Sequence, residues 1–332
     1  MNINVDFRND IITDHTKESV YCSVFISHEP PGDILLHAIK TLSSFKNMKV
    51  FVIDSSSSVK FSDINSAILS INSTKIGAPV EIFHVENMGT ANKLNFGIKK
   101  CVETGCNIIT FFEDDCSLIE KTFLIESITG FFLQHCDPKK DVLVLPVLNE
   151  DKFLPKGYNE IFDLGKVPGI TFSSELATRI KFREDLVIDQ VDIDFGRRVR
   201  KTGGKIIYYP EFAISRLPIG RETGNGIHAL PYWRFYLYVR NVFLLALEER
   251  VVLSRMEQLT YAALGSAHWL YNGMKSGQNV AELVRILRLG IIDAAMKRSG
   301  ITENLQILSG NRFSTSNSMR TCSSREISDS SS

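Results

Sequence analysis

Short apolar runs that stop abruptly at polar residues set the rhythm of this chain. Tyr21-Cys22-Ser23-Val24-Phe25-Ile26-Ser27, Val50-Phe51-Val52-Ile53 and Val80-Glu81-Ile82-Phe83-His84-Val85 are rich in β-branched and aromatic residues, and each reads as a strand. A fourth run, Asn107-Ile108-Ile109-Thr110-Phe111-Phe112, is apolar enough for a strand buried on both faces, and it ends in Glu113-Asp114-Asp115. Between these runs the apolar spacing lengthens to three and four. Leu35, Ile39, Leu42 and Phe45 share a helical face behind Asp33, a candidate cap, and Ala91, Leu94, Asn95 and Ile98 share another behind Thr90. Strands alternating with helices in this way predict βαβ units and an α/β fold.

Downstream, Phe123, Leu124, Ile128, Phe131 and Phe132 recur at helical spacing as core, and Asp141 to Leu145 reads as another strand. Residues 149–168 are rich in Pro, Gly and polar groups and read as a long irregular connection. Order resumes at Val167 to Phe172, with Ser173 or Ser174 capping a short helix through Ile180. Four aspartates between 185 and 194 then fall where a loop becomes a helix ending at Gly203-Gly204. Lys205 to Tyr209 is a strand, Ile219 to Gly226 has the composition of a mobile lid, and Leu230 to Arg250 forms a long helix whose aromatics read mainly as packing. Two amphipathic helices follow near 253–275 and 278–298. On the last, Arg285, Arg288, Lys297 and Arg298 read as a solvated face, with contact to anionic lipid as the alternative. The expected division is a polar leader (1–19), a nucleotide-binding α/β domain (20–250), C-terminal helices (251–308) and a Ser-rich disordered tail (309–332).

Composition narrows the partners. Over 332 residues, 38 Lys and Arg balance 38 Asp and Glu, so no global field draws the chain to nucleic acid. Residues 1–19 lack an apolar signal-peptide core, and the longest apolar stretch, Val242 to Leu247, is far short of a membrane span; a cytoplasmic location is the expectation. The cysteines at 22, 101, 106, 116, 136 and 322 form no CxxC pair and read as reduced core thiols.

Chemistry concentrates in the acids. Three consecutive carboxylates at a strand end repel one another unless a cation or a cluster of donors neutralises them. A hard divalent ion would do so, and solvated loop acids are the alternative. Asp54 ends the second strand at an edge where parallel sheets bind ligands, or it merely starts a turn with the serines that follow. Asn95 lies on a packing face, so it either braces a neighbouring loop or touches ligand. Asp192 and Asp194 are favoured near a helix N-terminus by its dipole, and one of them is a candidate catalytic base.

Taken in order, these motifs over residues 20–245 resemble the GT-A glycosyltransferases of family 2, in the rhamnosyltransferase-like and galactofuranosyltransferase-like branch. The resemblance implies a GT-A fold, a mixed nucleotide-binding sheet flanked by helices, with a C-terminal helical extension. It also implies an inverting transfer from a nucleotide-diphosphate sugar to a glycan or polyprenyl-linked glycolipid of a bacterial surface polysaccharide, at or near the inner face of the plasma membrane. Asp54 would contact the nucleobase, and Asn87-Met88-Gly89-Thr90-Ala91-Asn92 with Asn95 is similar to the helix entry beside the nucleotide. Asp114 and Arg240, the latter in the recurrent Arg240-Asn241 pair, are assigned to the donor. Asp115 and Glu113 would hold Mg²⁺ or Mn²⁺, and Leu186 to Arg198 points to Asp192 as the base with Asp194 in support. Relatives usually place a metal-binding histidine shortly after the strand at 205–209, where this chain has Arg216-Leu217-Pro218-Ile219-Gly220; His228 is a poorly placed substitute. Either Asp115 and the diphosphate hold the ion without it, or Arg216 supplies the positive charge.

Two enzyme classes fare worse. A nucleotidyltransferase needs a Gly-rich basic loop after its first strand, unlike Ser27-His28-Glu29-Pro30-Pro31-Gly32, and no GxGxxG marks a dinucleotide-binding dehydrogenase. A non-catalytic protein that keeps the fold and binds the sugar nucleotide remains the alternative to an enzyme.

Overall fold

The structure is a computed structural model describing residues 20–30, 33–45, 48–74, 78–118, 125–147, 159–161, 164, 167–209, 214–216, 229–248, 255–310 and 312–313. The apolar runs form parallel strands β1 (Tyr21–Ser27), β2 (Met48–Asp54), β3 (Val80–His84) and β4 (Ile108–Glu113). They are linked by helices α1 (Ile34–Ser43), α2 (Ser58–Ser73) and α3 (Thr90–Glu103). β5 (Cys116–Leu118), α4 (Ile125–His135), β6 (Val142–Val144), β7 (Asn159–Ile161), β8 (Ile170–Ser173) and α5 (Ser174–Arg179) come next. A 3₁₀ turn at Glu184–Leu186 leads to α6 (Val191–Lys201), β9 (Ile206–Tyr208) and β10 (Ile214–Arg216). Helices α7 (Tyr232–Glu248), α8 (Arg255–Lys275), α9 (Val280–Ala295) and α10 (Glu303–Ser309) complete the described chain.

The eight-stranded sheet runs β3-β2-β1-β4-β8-β6-β9-β7, and β5 pairs with β10 in a separate ribbon. It is mixed because β8 lies antiparallel between β4 and β6. Every residue of β1 is buried, and side chains alternate between two cores. Val24, Phe51, Ile53 and Phe111 meet α3 on one face, while Phe25, Val50, Val52 and Phe112 meet α1 and α4 on the other. The strand register then decides where chemistry can occur. Ser27 stands beside Asp54, Ile26 beside Glu113, and Asp54 beside His84, so the carboxyl ends of four parallel strands form one polar edge.

Several expectations change. α2 follows the serines after Asp54 without any helical signal in the sequence; of its side chains just Ile64 and Ile68 are buried, which is too thin a stripe to announce a helix. α3 is capped by Gly89 at φ 97° rather than by Thr90, and Asp33 sits at the start of α1 without a capping bond from its side chain. Ser173 does cap α5, accepting from Leu176 N at 3.0 Å. Cys22 and Cys106 are joined as a disulfide rather than left as thiols, because parallel pairing of Tyr21 with Ile108 brings the two strand starts together. Cys101, Cys116 and Cys136 are free and buried. The chain keeps structure past 309, with Phe313 buried after α10. The leader, the lid at 219–226, Phe123, Leu124, His228, Cys322 and the tail beyond 313 lie outside the described residues, as does most of the connection at 149–168. Among the described residues no helix is long and apolar enough to cross a membrane.

Candidate active site

A cleft of about 690 Å³ opens at the polar edge of the sheet. Its floor is made by lacing β1 to β2. Asp54 accepts from Ser56 N at 3.0 Å and Ser56 Oγ at 2.7 Å, Ser56 Oγ accepts from Glu29 N at 2.7 Å, and Ser57 N donates to Glu29 at 2.6 Å. Lys93, from the first turn of α3, donates to Ser27 O at 3.0 Å and Ser55 Oγ at 3.1 Å. Burial pushes its ammonium pKa down, against the pull of Asp114, Asp54 and Glu113. A buried cation thus lies under the acids.

The acids at the end of β4 are held in different ways. Asp114 accepts from His28 N at 2.7 Å, and burial pushes its carboxyl up to about 6. Asp115 rises to about 6 through burial and the charge of Glu113, with Arg216 opposing. The β5–β10 ribbon sets Arg216 opposite Cys116, and from there its Nε donates to Asp115 Oδ2 at 2.9 Å while a terminal nitrogen donates to Glu113 Oε2. One guanidinium therefore spans both carboxylates expected to ligate a metal. Their oxygens are the right chemistry for Mg²⁺ or Mn²⁺, yet an ion bound to both within about 2.0–2.6 Å would share its space with the guanidinium. The residues as arranged do not fit a resident divalent cation.

Facing these acids is the start of α6. Asp192 lines the cleft, and burial, followed by the charges of Asp189 and Glu113, pushes its carboxyl up to about 7 against a bond from Ile193 N. The loop before it is strained, with Val187, Asp189 and Gln190 at φ 65°, 56° and 65°, a region rarely visited outside glycine and most costly for β-branched valine. Contacts from α3, its cap and α7 hold it. Gly89 lies so close to Val187 that a Cβ there would collide with its carbonyl. Asn95 bonds both Phe182 O and Phe182 N at 2.9 Å and Glu184 at 2.8 Å, and Asn92 bonds Glu184 at 3.1 Å. From α7, Asn241 donates to Leu186 O and Ile188 O at 2.8 Å and Asp189 O at 3.0 Å, while buried Arg240 donates to Asp185 O, Leu186 O and Gly300 O. Arg234 pairs with Asp189 at 2.9 Å.

The cleft gathers Asn87, Gly89, Glu113, Asp114, Asp115, Asp192 and Arg216. Four assigned residues do not line it. Arg240 is fully buried and grips the loop before Asp192, its guanidinium taken up by backbone carbonyls and Asn241. Asn95 takes the loop-bracing role left open for it. Asp54 closes its own turn, and Asp194 is buried against Arg198 at 2.6 Å. Lys93, His28, Arg234, Arg312, Tyr261 and Trp269 were given no role from the sequence, Asp189 was counted only among the four aspartates, and Trp233 and Tyr238 were read mainly as packing; all of them line the cleft. Lys93 carried no signal, since it falls off the helical face shared by Ala91, Leu94, Asn95 and Ile98. Helical spacing does not separate wall from core along α7, where Phe235 and Tyr236 are buried and Trp233 reaches the cleft.

The mixed sheet flanked by helices, with a cleft at its strand ends, matches the expected GT-A arrangement. No family model and no curated protein sequence matches the chain. Among solved structures it is similar to the 1–349 fragment of S. aureus TarS bound to UDP-GlcNAc (TM-score 0.53, 14% identity), covering 87% of this chain and 83% of that one. A mannosyltransferase from Pyrobaculum calidifontis, solved with GDP-Man and Mn²⁺, is similar at TM-score 0.53 and 14% identity over 90% of this chain and 85% of that one. Against the longer S. aureus TarS, 87% of this chain covers 50% of that protein.

Proposed function

We propose that this chain is an inverting glycosyltransferase that moves a sugar, rhamnose, galactofuranose or a relative, from a nucleotide diphosphate to a glycan or polyprenyl-linked glycolipid acceptor. The setting would be assembly of a bacterial surface polysaccharide, in the cytoplasm and at the inner face of the plasma membrane. The observation that carries the reading is the pairing, across one cleft, of a half-buried carboxylate poised near neutral pH with the polar ends of β1 and β4.

Asp192 would accept the proton of an acceptor hydroxyl as that oxygen bonds to the anomeric carbon. The bond from that carbon to the diphosphate breaks on the opposite face, and its electron pair leaves with the nucleotide. Asn87 and Gly89 at the entry of α3, with Asp114, would border the donor, while Trp233, Tyr238 and Trp269 put aromatic side chains in the cleft lining. Asp192→Asn should lower transfer by about 10²- to 10⁴-fold while affinity for UDP or GDP changes less than about threefold. Nucleotide release from a panel of uridine, thymidine and guanosine diphosphate sugars reads the first and calorimetry the second; near-normal turnover in the variant would overturn the assignment.

A further inference from the structure

Arg216 carries an inference that rests on this reading and departs from the expected cofactor. Its backbone is fixed by the β5–β10 ribbon, and its guanidinium bridges Glu113 and Asp115 with exposures of 15%, 20% and 8% for the three side chains. All three border the same cleft. A guanidinium is positive at any working pH and matches the geometry of carboxylates and phosphates alike. A divalent ion drawn to the same two carboxylates would have to displace it and then sit against its charge.

We infer that Arg216 is the permanent cation of this site: it occupies the place of a metal between Glu113 and Asp115 and meets the donor diphosphate directly, so nucleotide binding needs no divalent ion. The carboxylates then orient an arginine instead of ligating a metal. Lys93 beneath the acids and Arg234 beside Asp189 add positive charge around the same space.

The test has a metal arm and a nucleotide arm. In the first, Mn²⁺ alone is titrated into the full chain and followed by its electron paramagnetic resonance signal. Wild type should leave Mn²⁺ free, whereas Arg216→His, which supplies a neutral nitrogen beside two carboxylates, should bind it. In the second, UDP and GDP are titrated calorimetrically in EDTA and in Mn²⁺. Wild-type affinity should differ by less than about twofold between the two. Arg216→Gln should lose about 10- to 100-fold in both, the scale of a lost charge-assisted hydrogen bond, and Arg216→His should recover in Mn²⁺ only. Folding of each variant is checked by circular dichroism, and Gln and His, both polar, are chosen to keep the ribbon. Tight Mn²⁺ binding by wild type, a tenfold gain in nucleotide affinity on adding Mn²⁺, or unchanged binding in Arg216→Gln overturns the inference. If wild type leaves Mn²⁺ free and Arg216→His binds it but neither nucleotide binds, the proposed function fails while the exclusion of metal by Arg216 stands.

Discussion

Glu113, Asp114 and Asp115 reach the cleft on the end of a buried strand, whereas Asp189 reaches it on a loop with three non-glycine residues at positive φ and Asp192 on the helical turn that this loop starts. The strand end is specified locally, because β4 is zipped to β1 and β8 and its last residues follow wherever the sheet points. The loop has no such template. Its shape is imposed from outside by Gly89, the Asn92 and Asn95 side chains, Arg240 and Asn241. The acids of β4 are thus placed by the sheet itself, while the candidate base depends on contacts from other elements, most of them made by residues outside the cleft lining.

The sharpest way to break this contrast is Arg240→Met. Removing a buried guanidinium that satisfies three carbonyls should lower stability by about 3–5 kcal/mol in urea unfolding. A loss under about 1 kcal/mol would mean that the loop holds itself. Next is Gly89→Ala, where a Cβ meets Val187 and the φ of 97° is strained for alanine; a loss of roughly 2 kcal/mol is expected, with transfer falling further than stability because Asp192 is displaced. The smallest effect has the opposite sign. Asp192 keeps its proton up to about pH 7 in the fold but loses it near 3.8 when unfolded, so the folded chain surrenders stability as pH rises through that interval. Asp192→Asn should therefore be more stable than wild type by about 1–2 kcal/mol at pH 8, converging towards pH 4, while wild-type transfer rises over the same range. Thermal melts across pH check it, and a variant less stable at pH 8 would count against a disfavoured charge at Asp192.

How much of this was legible followed the same division. β1, β2 and β4, with the acids that end β2 and β4, could be read from continuous apolar runs and abrupt polarity, since both are local. The base loop was legible as a motif but not as a structure. A polar residue on a packing face must find a partner, yet nothing in the sequence says whether that partner is a ligand or a carbonyl 87 residues away, as it is for Asn95 and Phe182. Arg240 went to the donor for the same reason. Cys22 and Cys106, 84 residues apart, become neighbours only once the strand order is known. Lys93 was hidden by the rule that lysines stay at the surface, a rule it breaks by lying under three carboxylates.

The bond network at Gly300 also bears on how the protein is made. Gly300 N donates to Asp185 O at 2.6 Å and Gly300 O accepts from Arg240 at 2.6 Å, while Tyr236 in α7 reaches Asp293 and Thr302. A chain emerging from the ribosome can pair β1 to β4 and shape the floor of the cleft long before residues 293–302 exist. The loop carrying Asp192 acquires its last supports only then. In a nascent chain the floor of the cleft would stand before the Asp192 loop has its supports, and those would arrive with α9 and the turn at Gly300.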